Sequence, residues 1–494
     1  MPQSQAAPIT RTVSFRDPVG RVILIDDRCF RVLTPSAGVV LDEFLASDVA
    51  RQAIERGELV ATMVPANAPP EIHQLVDGGD GNARPRVFEH EAIAFANYPH
   101  EWCPDMFVAA ARLTLDLVER VLPIGFNLKD GTPWNIMFRG TDPVFLDLAS
   151  FERRDPLSRL WLPYGQFVRT FLLPLLLWKT IRIPPGEHFR ASRDGLQPEE
   201  AFRRLGFGRA LRRPGLELCA VPAGLAWWAR RRHQTTAQVK ARPARSPEEA
   251  EYVVAGTLTR LRRSLDRLAK QKAMRSEWTD YNAEVLAREF ASGYFAAKTA
   301  FVNESIAEIK PVACLDVGCN TGHFSLLAAA AGARVLSVDS DAASVGELFR
   351  SARAEKRDVL PLVIDIARPT PAMGWINKES LAFIDRAEAA QFDLVMMLAL
   401  IHHLCLIERV PLPEVAALAA RLTQRWLLIE FVPREDPLAR AMPGFWDGDS
   451  DWSPYNRESF EAAFGRHFRT VRATELVSSG RWIYLMERGQ GKSG

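Results

Sequence analysis

The chain has 494 residues, a length that predicts two or three domains, each able to bury its own core. Hydrophobic residues make up 47% and charged residues 25%, as in ordinary soluble globular proteins, and a net charge of +2 excludes a general attraction of the whole chain to polyanions. The six cysteines form no C-x-x-C pair, and residues 1–18 lack the apolar core of a signal peptide. We therefore expect a reduced, cytoplasmic protein without structural zinc.

Two apolar runs in the first half, Phe171–Trp178 and Leu218–Ala229, are shorter than the ~20 residues that a membrane-spanning helix needs. Arg230, Arg231 and Arg232 follow the second run directly, which makes it a weak candidate for contact with a membrane surface. A buried helix with a solvated basic end is the interpretation that we favour.

A group of polar residues lies in the sequence LKDGTPWNIMF, where Asp130 and Asn135 are five positions apart. An apolar strand then ends at Asp147. This spacing resembles the catalytic and metal-binding loops of protein kinases and aminoglycoside-type phosphotransferases. The resemblance implies that Asp130 orients or deprotonates an acceptor hydroxyl, whereas Asn135 and Asp147 hold magnesium on ATP.

The first half also departs from that pattern. Lys129 precedes the candidate catalytic aspartate, no glycine-rich phosphate loop lies near the N-terminus, and Arg31 is the only basic residue in a predicted early strand. We therefore expect an α+β, degenerate kinase-like domain over residues 1–233 that helps to select the acceptor. Binding of Mg-ATP to this domain stays an open alternative.

The segment 234–249 mixes Pro, Ala and Arg without hydrophobic periodicity, which predicts a linker. Glu251–Lys272 has leucines and valine at helical spacing and predicts an amphipathic helix. We therefore assign 234–272 to a linker and connecting helix, and 273–494 to a second domain.

From Ala313 onward, short apolar strands alternate with amphipathic helices, a pattern typical of a parallel sheet covered on both faces. Thr470–Val477 and Trp482–Arg488 are close enough to pair as a hairpin at the sheet edge. The prediction is an α/β fold with a mostly parallel, seven-stranded sheet. Its parallel strands are expected within 313–318, 334–339, 360–366, 392–400 and 426–432.

A glycine-bounded turn, DVGCNTG from Asp316 to Gly322, follows the first of these strands. Glycines such as Gly318 let the backbone approach a ligand closely. A dinucleotide-binding fingerprint would need glycine where Asn320 stands, so NAD is the weaker interpretation. The turn resembles the first motif of class I methyltransferases, which implies a Rossmann-like domain whose loop wraps the methionine part of S-adenosylmethionine.

Two acids lie where the second and third strands end, at the edge where open α/β sheets bind ligands. By the same resemblance, Asp339 takes both ribose hydroxyls, which suits a carboxylate. Asp365 would bind the adenine amino group, beside the backbone N–H of Ile366. A helix N-cap is the alternative for each acid taken singly.

The fourth strand leads into His402 and His403, where an acceptor should meet the methyl group. Some small-molecule O-methyltransferases place a histidine there, which implies that one of the two deprotonates a hydroxyl acceptor. The alternative is that one shapes the adenosine pocket and the other packs inside. Glu430, near the end of the fifth strand, is a further candidate at the acceptor, with a helix-cap or hydrogen-bonding role as the alternative. Candidates for a lid are Trp278, Tyr281, Tyr294 and Lys298.

The motifs LKDGTPWNIMF, PVFLDLASFE, GWINKE, LALIHHL and IEFVP, with the glycine-bounded turn, resemble a bacterial family of two-part class I methyltransferases that includes NoeA-type nodulation proteins. The resemblance spans about Asp17 to Arg488. It implies methyl transfer to an unidentified acceptor, such as a glycan or a small molecule. A bifunctional methyltransferase and phosphotransferase, a non-catalytic scaffold and an RNA methyltransferase are the alternatives. The absence of an N/D-P-P-Y/F motif disfavours DNA, and the oligomeric state is left open.

Overall fold

The computed structural model describes residues 10–14, 17–72, 84–231, 242–270, 293–442, 455–477 and 479–489. They form two compact units, the first within 1–100, 104–271 and 374–380 and the second within 101–103, 272–373 and 381–494. Trp278, Tyr281 and residues 234–241 of the predicted linker lie outside the described residues. In the part of the chain that the structure describes, no helix is both long and apolar enough to cross a membrane.

The first unit contains a five-stranded antiparallel sheet with the order β1-β2-β3-β5-β4. Alternation along the strands buries Ile23, Ile25 and Phe30 on one face, where they form a small core with Ile72. Two short antiparallel ribbons, β6 with β9 and β7 with β8, carry the polar residues of the candidate phosphotransfer site. The strands are β1 (Thr10–Ser14), β2 (Gly20–Ile25), β3 (Arg28–Leu33), β4 (Thr62–Met63), β5 (Arg86–His90), β6 (Phe126–Leu128), β7 (Ile136–Arg139), β8 (Asp142–Phe145) and β9 (Phe151–Arg153).

Helices complete this α+β unit, and the helix over Pro104–Val121 is largely buried. The helix after the predicted linker begins at Pro247, because the side chain of Ser246 accepts a hydrogen bond from the Glu249 N–H and caps it. Residues 247–249 of the predicted linker segment therefore belong to this helix. The helices are α1 (Pro35–Leu45), α2 (Asp48–Glu55), α3 (Pro104–Val121), α4 (Tyr164–Phe167), α5 (Leu173–Ile181), α6 (Pro185–Ala191), α7 (Pro198–Leu205), α8 (Phe207–Ala210), α9 (Val221–Arg231) and α10 (Pro247–Ala269).

Helix α9 lies in the second apolar run, which we expected to be buried. Val221, Leu225, Trp227 and Trp228 are instead about half exposed or more. The expectation failed because Pro222, Ala223 and Ala226 supply the inner face, and small side chains there leave the large apolar ones outside.

The second unit is built on a seven-stranded sheet with the order β12-β11-β10-β13-β14-β16-β15. The five strands from β12 to β14 are parallel, and β16 and β15 add antiparallel pairs at one edge. This is the mostly parallel sheet with an edge hairpin that the sequence predicted. The strands are β10 (Ala313–Val317), β11 (Arg334–Asp339), β12 (Val359–Val363), β13 (Phe392–Met397), β14 (Thr423–Phe431), β15 (Phe468–Glu475) and β16 (Trp482–Arg488).

The sheet of the second unit is buried, and its strands are nearly continuous apolar runs, as expected for parallel strands covered on both faces. The carboxyl ends of the parallel strands therefore share one edge, where the polar residues of the candidate site follow them. The helices are α11 (Tyr294–Ile309), α12 (His323–Ala330), α13 (Ala342–Ala354), α14 (Phe383–Ala389), α15 (Leu412–Leu422), α16 (Pro437–Arg440) and α17 (Arg457–Phe464).

Candidate functional site

The glycine-bounded turn connects β10 to α12 in a strained, left-handed path. Gly318, Asn320 and Gly322 have φ angles of +78°, +50° and +83°. A Cβ on Gly322 would overlap the side chain of Leu348, and one on Gly318 would lie 3.2 Å from Leu400 Cδ1. Glycine is therefore required at 322 for both conformation and space, and the turn lies directly beside the segment that follows β13.

Asp339 holds this turn in place. Its Oδ2 accepts a hydrogen bond from the Asn320 N–H at 2.9 Å, and its Oδ1 accepts one from the Asp341 N–H at 2.9 Å. Burial raises the pKa of Asp339, which these backbone donors partly offset. Each oxygen of the Asp339 carboxylate accepts one backbone hydrogen bond and can accept another. The two oxygens together are therefore suited to binding two ligand hydroxyls.

Asp316 is 2% exposed and faces the interior of the unit. Its Oδ2 accepts a hydrogen bond from Ser325 Oγ at 2.6 Å, and Ser325 Oγ accepts one from Ser337 Oγ at 2.9 Å. This chain ties the end of β10 to α12 and β11. Burial raises the pKa of Asp316 to about 6, although the Ser325 hydrogen bond and Lys298 oppose the rise. Asp316 thus stabilises the start of the turn through contacts in the interior of the unit. No pattern in the sequence indicated its serine partners.

Asp365 follows β12 and forms a tight turn, because its Oδ1 accepts a hydrogen bond from the Ala367 N–H at 3.0 Å. Its Oδ2 lies 3.0 Å from Arg368 Nη2, and the same guanidinium binds Glu408. Ile366, the residue after Asp365, is buried. The structure therefore places both predicted adenine-binding residues at the strand edge, with an arginine partner that the sequence did not suggest.

His402 and His403 follow β13 through a bend at Ala399, whose φ of +53° is rare for a residue with a side chain. Their rings lie 4.4 Å apart, at the start of a single π-helical turn over His403–Ile407. Burial, helped by His403, Arg481 and Lys298, lowers the pKa of His402 well below its usual value. His402 is 7% exposed, and its Nδ1 has no hydrogen-bond partner among the described residues. A buried, neutral imidazole with an unused polar atom is a candidate to meet an acceptor.

Glu430 has no exposed surface, yet it is surrounded by donors and cations. Tyr294 Oη donates a hydrogen bond to its Oε1, Lys298 Nζ lies 2.7 Å from its Oε2, and Arg481 Nη1 lies 3.8 Å from its Oε1. Burial alone would raise the pKa of Glu430, but Lys298, Arg481 and Tyr294 outweigh it and leave the pKa below its usual value. An ionised carboxylate so occupied is suited to holding other groups in place.

Tyr294 and Lys298 were predicted as lid residues, and the structure places them one helical turn apart on α11, in contact with Glu430. Arg481 and its partner Asp436 were not predicted. Arg481 binds Asp436 with two hydrogen bonds, from Nε at 2.7 Å and from Nη2 at 3.1 Å. No spacing links these two positions, because the pair forms only once β16 has paired with β14.

The candidate phosphotransfer residues of the first unit lie close together. Asp147 Oδ2 accepts a hydrogen bond from Ser150 Oγ at 2.6 Å, and Ser150 Oγ accepts one from Asn135 Nδ2 at 3.2 Å. Asp130 Oδ1 accepts a longer hydrogen bond, 3.4 Å, from Gln166 Nε2. Burial raises the pKa of Asp130, and Asp147 raises it further.

Arg31 brings a fixed cation to this group. Its Nη1 donates to Asp147 Oδ1 at 2.7 Å, and its Nε donates to His90 Nε2 at 3.1 Å. Burial, followed by the charge of Arg31, lowers the pKa of His90 to about 3, so the ring is neutral. Its Nδ1 then carries the proton and donates to Thr62 Oγ1 at 2.7 Å. Each side chain in this hydrogen-bonded series therefore has a hydrogen-bond partner, from Asp147 through Arg31 and His90 to Thr62.

These residues do not fit a magnesium ion on Asp147. The Arg31 guanidinium lies 2.7 Å from Asp147 Oδ1 and would repel a divalent cation placed beside that carboxylate. Among the described residues there is also no cluster of three or more His, Cys, Asp or Glu side chains that could hold a metal ion.

Comparisons with known proteins add the following. A family model described as "Tellurite resistance protein TehB" matches residues 290–370. The chain is 32% identical over 482 residues to the nodulation protein NoeA of Rhizobium meliloti (strain 1021), covering 97% of this chain and 96% of that protein.

Two solved structures are more distant. One is magnesium protoporphyrin IX methyltransferase (ChlM) from Synechocystis PCC 6803 with bound SAM, which is 17% identical. The match covers 44% of this chain and 86% of the ChlM chain, with a TM-score of 0.28. WbdD with the kinase inhibitor LY294002 is 20% identical, covers 39% of this chain and 40% of its own, and has a TM-score of 0.26. At these TM-scores neither bears on the fold, which is established by the strand order of the second unit.

The substitution Asp316→Asn should change how the free energy of unfolding depends on pH. Burial raises the pKa of this carboxyl from 3.8 to about 6, so the folded state binds the proton more tightly than the unfolded chain does. The resulting stabilisation is complete below the lower value and is lost as the pH rises through the higher one. The variant, which keeps an acceptor for Ser325, should therefore gain roughly 2–3 kcal/mol relative to the wild type across that window.

Denaturant unfolding at pH values spanning the window measures this difference. Asp385→Asn, a change at an exposed position of α14, is the matched control and should run parallel to the wild type. A constant offset between Asp316→Asn and the wild type would contradict the assigned shift.

The substitution Arg31→Met should lower the free energy of unfolding of the first unit by about 1–3 kcal/mol, because it leaves the buried His90 and the half-buried Asp147 without their partner. Arg28→Met changes the same strand at an exposed pair with Glu89 and should cost much less. Chemical denaturation of both variants provides the comparison.

Titration of the wild type with Mg-ATP should show no binding that depends on Asp147. Binding by the wild type that Asp147→Asn abolishes would contradict this expectation and support a metal ion at Asp147.

Proposed function

This chain belongs to the family of the nodulation protein NoeA, as its motifs predicted, and we propose that its second unit transfers the methyl group of S-adenosylmethionine to a hydroxyl group of a glycan or small-molecule acceptor. The observation that carries this proposal is the position of His402. It is buried beyond the end of β13, two residues after Leu400, whose side chain lies beside Gly318 of the glycine-bounded turn, and its Nδ1 atom is bound by no described residue.

The residues at the strand edge suit the cofactor. Asp339 would hold the ribose hydroxyls, Asp365 and the Ile366 N–H would hold the adenine, and the turn from Gly318 to Gly322 would enclose the methionine part. The backbone N–H of Asn320 already donates a hydrogen bond to Asp339, so the shape of the turn is fixed before any ligand binds. When bound, S-adenosylmethionine supplies a methyl group that is activated by the sulfonium charge. A site fixed in advance favours transfer because alignment is the main requirement of an in-line displacement.

The acceptor side of the site needs a group that takes a proton, because a hydroxyl oxygen attacks carbon well only as it loses its hydrogen. His402 is neutral, since burial and the nearby cations lower its pKa. Its unpartnered Nδ1 can accept a hydrogen bond from the acceptor hydroxyl and then the proton. His403, less buried and part of the π-helical turn, would orient the neighbouring ring.

Glu430 is better suited to positioning than to proton transfer. Its carboxylate is already held by Tyr294, Lys298 and Arg481, which keep it ionised. By fixing Lys298 and Arg481 near His402, it keeps positive charge around the imidazole. That charge keeps the imidazole neutral, so its Nδ1 can accept a hydrogen bond from the acceptor hydroxyl.

Calorimetric titration with S-adenosylhomocysteine tests the cofactor assignment without an acceptor. We expect one-to-one binding by the wild type and a loss of about 1.5–3 kcal/mol, or roughly 10- to 150-fold in Kd, for Asp339→Ala, because the ribose hydroxyls lose their charged acceptor. Asp341→Asn is the control, since Asp341 is the N-cap of α13 and asparagine is an N-cap residue of similar strength. Binding by Asp339→Ala as tight as by the wild type, in a folded sample, would refute the site.

The two histidines can be separated by a matched pair of variants. His402→Asn should lower kcat by about 10²- to 10⁴-fold on any hydroxyl acceptor that the wild type methylates, because proton removal is lost. Its affinity for S-adenosylhomocysteine should stay close to that of the wild type. His403→Asn should reduce kcat far less. The reverse order of the two effects would move the base to His403, and equal small effects would remove a histidine base from the mechanism.

A further inference from the structure

Helices α7, α8 and α9 and the π-helical turn over Leu216–Ala220 pack against one another in the first unit. They expose an unusual set of large apolar side chains, which we call the helical patch. The exposed fractions are 71% for Phe207, 41% for Leu211, 50% for Val221, 62% for Leu225, 53% for Trp227 and 46% for Trp228.

The arrangement on α9 is the reverse of an ordinary surface helix. Val221, Leu225 and Trp228 are spaced i, i+4 and i+7, so they form one continuous stripe, and that stripe faces solvent. The inner side of the helix carries Ala223, which is buried. Folding of the unit therefore leaves the larger apolar surface outside, which marks a place of contact with something else.

Charge identifies the kind of partner. Residues 206–231 contain five arginines and one acid, Glu217, so this segment carries a surplus of four positive charges whereas the whole chain carries two. Glu217 is paired with Arg213 at 3.1 Å. Arg209 and Arg212 are exposed beside Phe207 and Leu211. Basic and large apolar groups are thus interleaved on one small surface.

Tryptophan and arginine together suit the boundary between lipid headgroups and acyl chains. The indole rings prefer that depth, and arginines are attracted by anionic headgroups. An acidic protein would satisfy the arginines but would not require so much exposed apolar surface. We propose that the helical patch docks the protein onto an anionic membrane surface. This inference does not depend on methyl transfer, because the patch lies in the first unit and the proposed methyl-transfer site lies in the second.

The test is sedimentation of the full-length chain with vesicles made of equal parts of phosphatidylglycerol and phosphatidylcholine. Vesicles of phosphatidylcholine alone are the comparison. We expect binding to the anionic vesicles that weakens as salt is raised. Leu225→Glu should weaken it roughly tenfold or more, because it places a charge in the apolar stripe. The double change Arg209→Gln with Arg212→Gln should have an effect of similar size.

Matched controls come from α10 of the same unit. Tyr252→Glu alters an aromatic side chain that is 81% exposed, and the double change Arg260→Gln with Arg263→Gln removes the same charge as the patch variant. Both should bind like the wild type. Since all substituted positions are exposed, thermal unfolding should be unaffected and will confirm that the variants are folded.

Three results would overturn the proposal. The first is no sedimentation of the wild type with anionic vesicles. The second is binding that the control variants weaken as much as Leu225→Glu does. The third is a wild-type dimer in light scattering that Leu225→Glu converts to a monomer without changing vesicle binding, which would assign the patch to a second copy of the chain.

Discussion

The second unit depends on how it accommodates one carboxylate with no exposed surface. A buried, unpaired charge would cost several kcal/mol, so the folded unit needs donors and cations around Glu430. Tyr294 and Lys298 come from α11, whereas Arg481 comes from the residue just before β16. The pairing of Glu430 with Ile483 in the sheet brings Arg481 to this place. The edge hairpin therefore belongs to the site as well as to the fold.

The sequence predicts the second unit well where local pattern determines structure. Apolar strands, helix periodicity and the glycine-bounded turn are all properties of neighbouring residues, and the sheet and the turn follow from them. It does not predict Arg481 with Asp436 or Asp316 with Ser325 and Ser337. Those partners are joined only by tertiary packing, and a serine or arginine in an apolar segment has no periodic signature.

In the first unit, the sequence pattern brought the expected residues together, but their chemistry differs from the expectation. Asp130, Asn135 and Asp147 do lie near one another, since the two short ribbons fold the loop on itself. The decisive residue is Arg31, more than a hundred positions away, which neutralises Asp147. The motif predicts that these three residues lie close together. It does not predict the positive charge beside them, because that charge comes from Arg31 on β3. Structure was needed to see that a guanidinium stands where a metal was expected.

The same comparison explains why the two units differ as candidate sites. Around Asp147, the side chains of Arg31, His90 and Thr62 already bind one another in a hydrogen-bonded series, and the Arg31 guanidinium meets the charge of Asp147. At the strand edge of the second unit, Asp339 keeps acceptor capacity and His402 keeps an unused, buried nitrogen atom. Buried polar atoms without partners are costly unless a ligand satisfies them. That imbalance favours chemistry at His402 and a structural role for the network around Arg31.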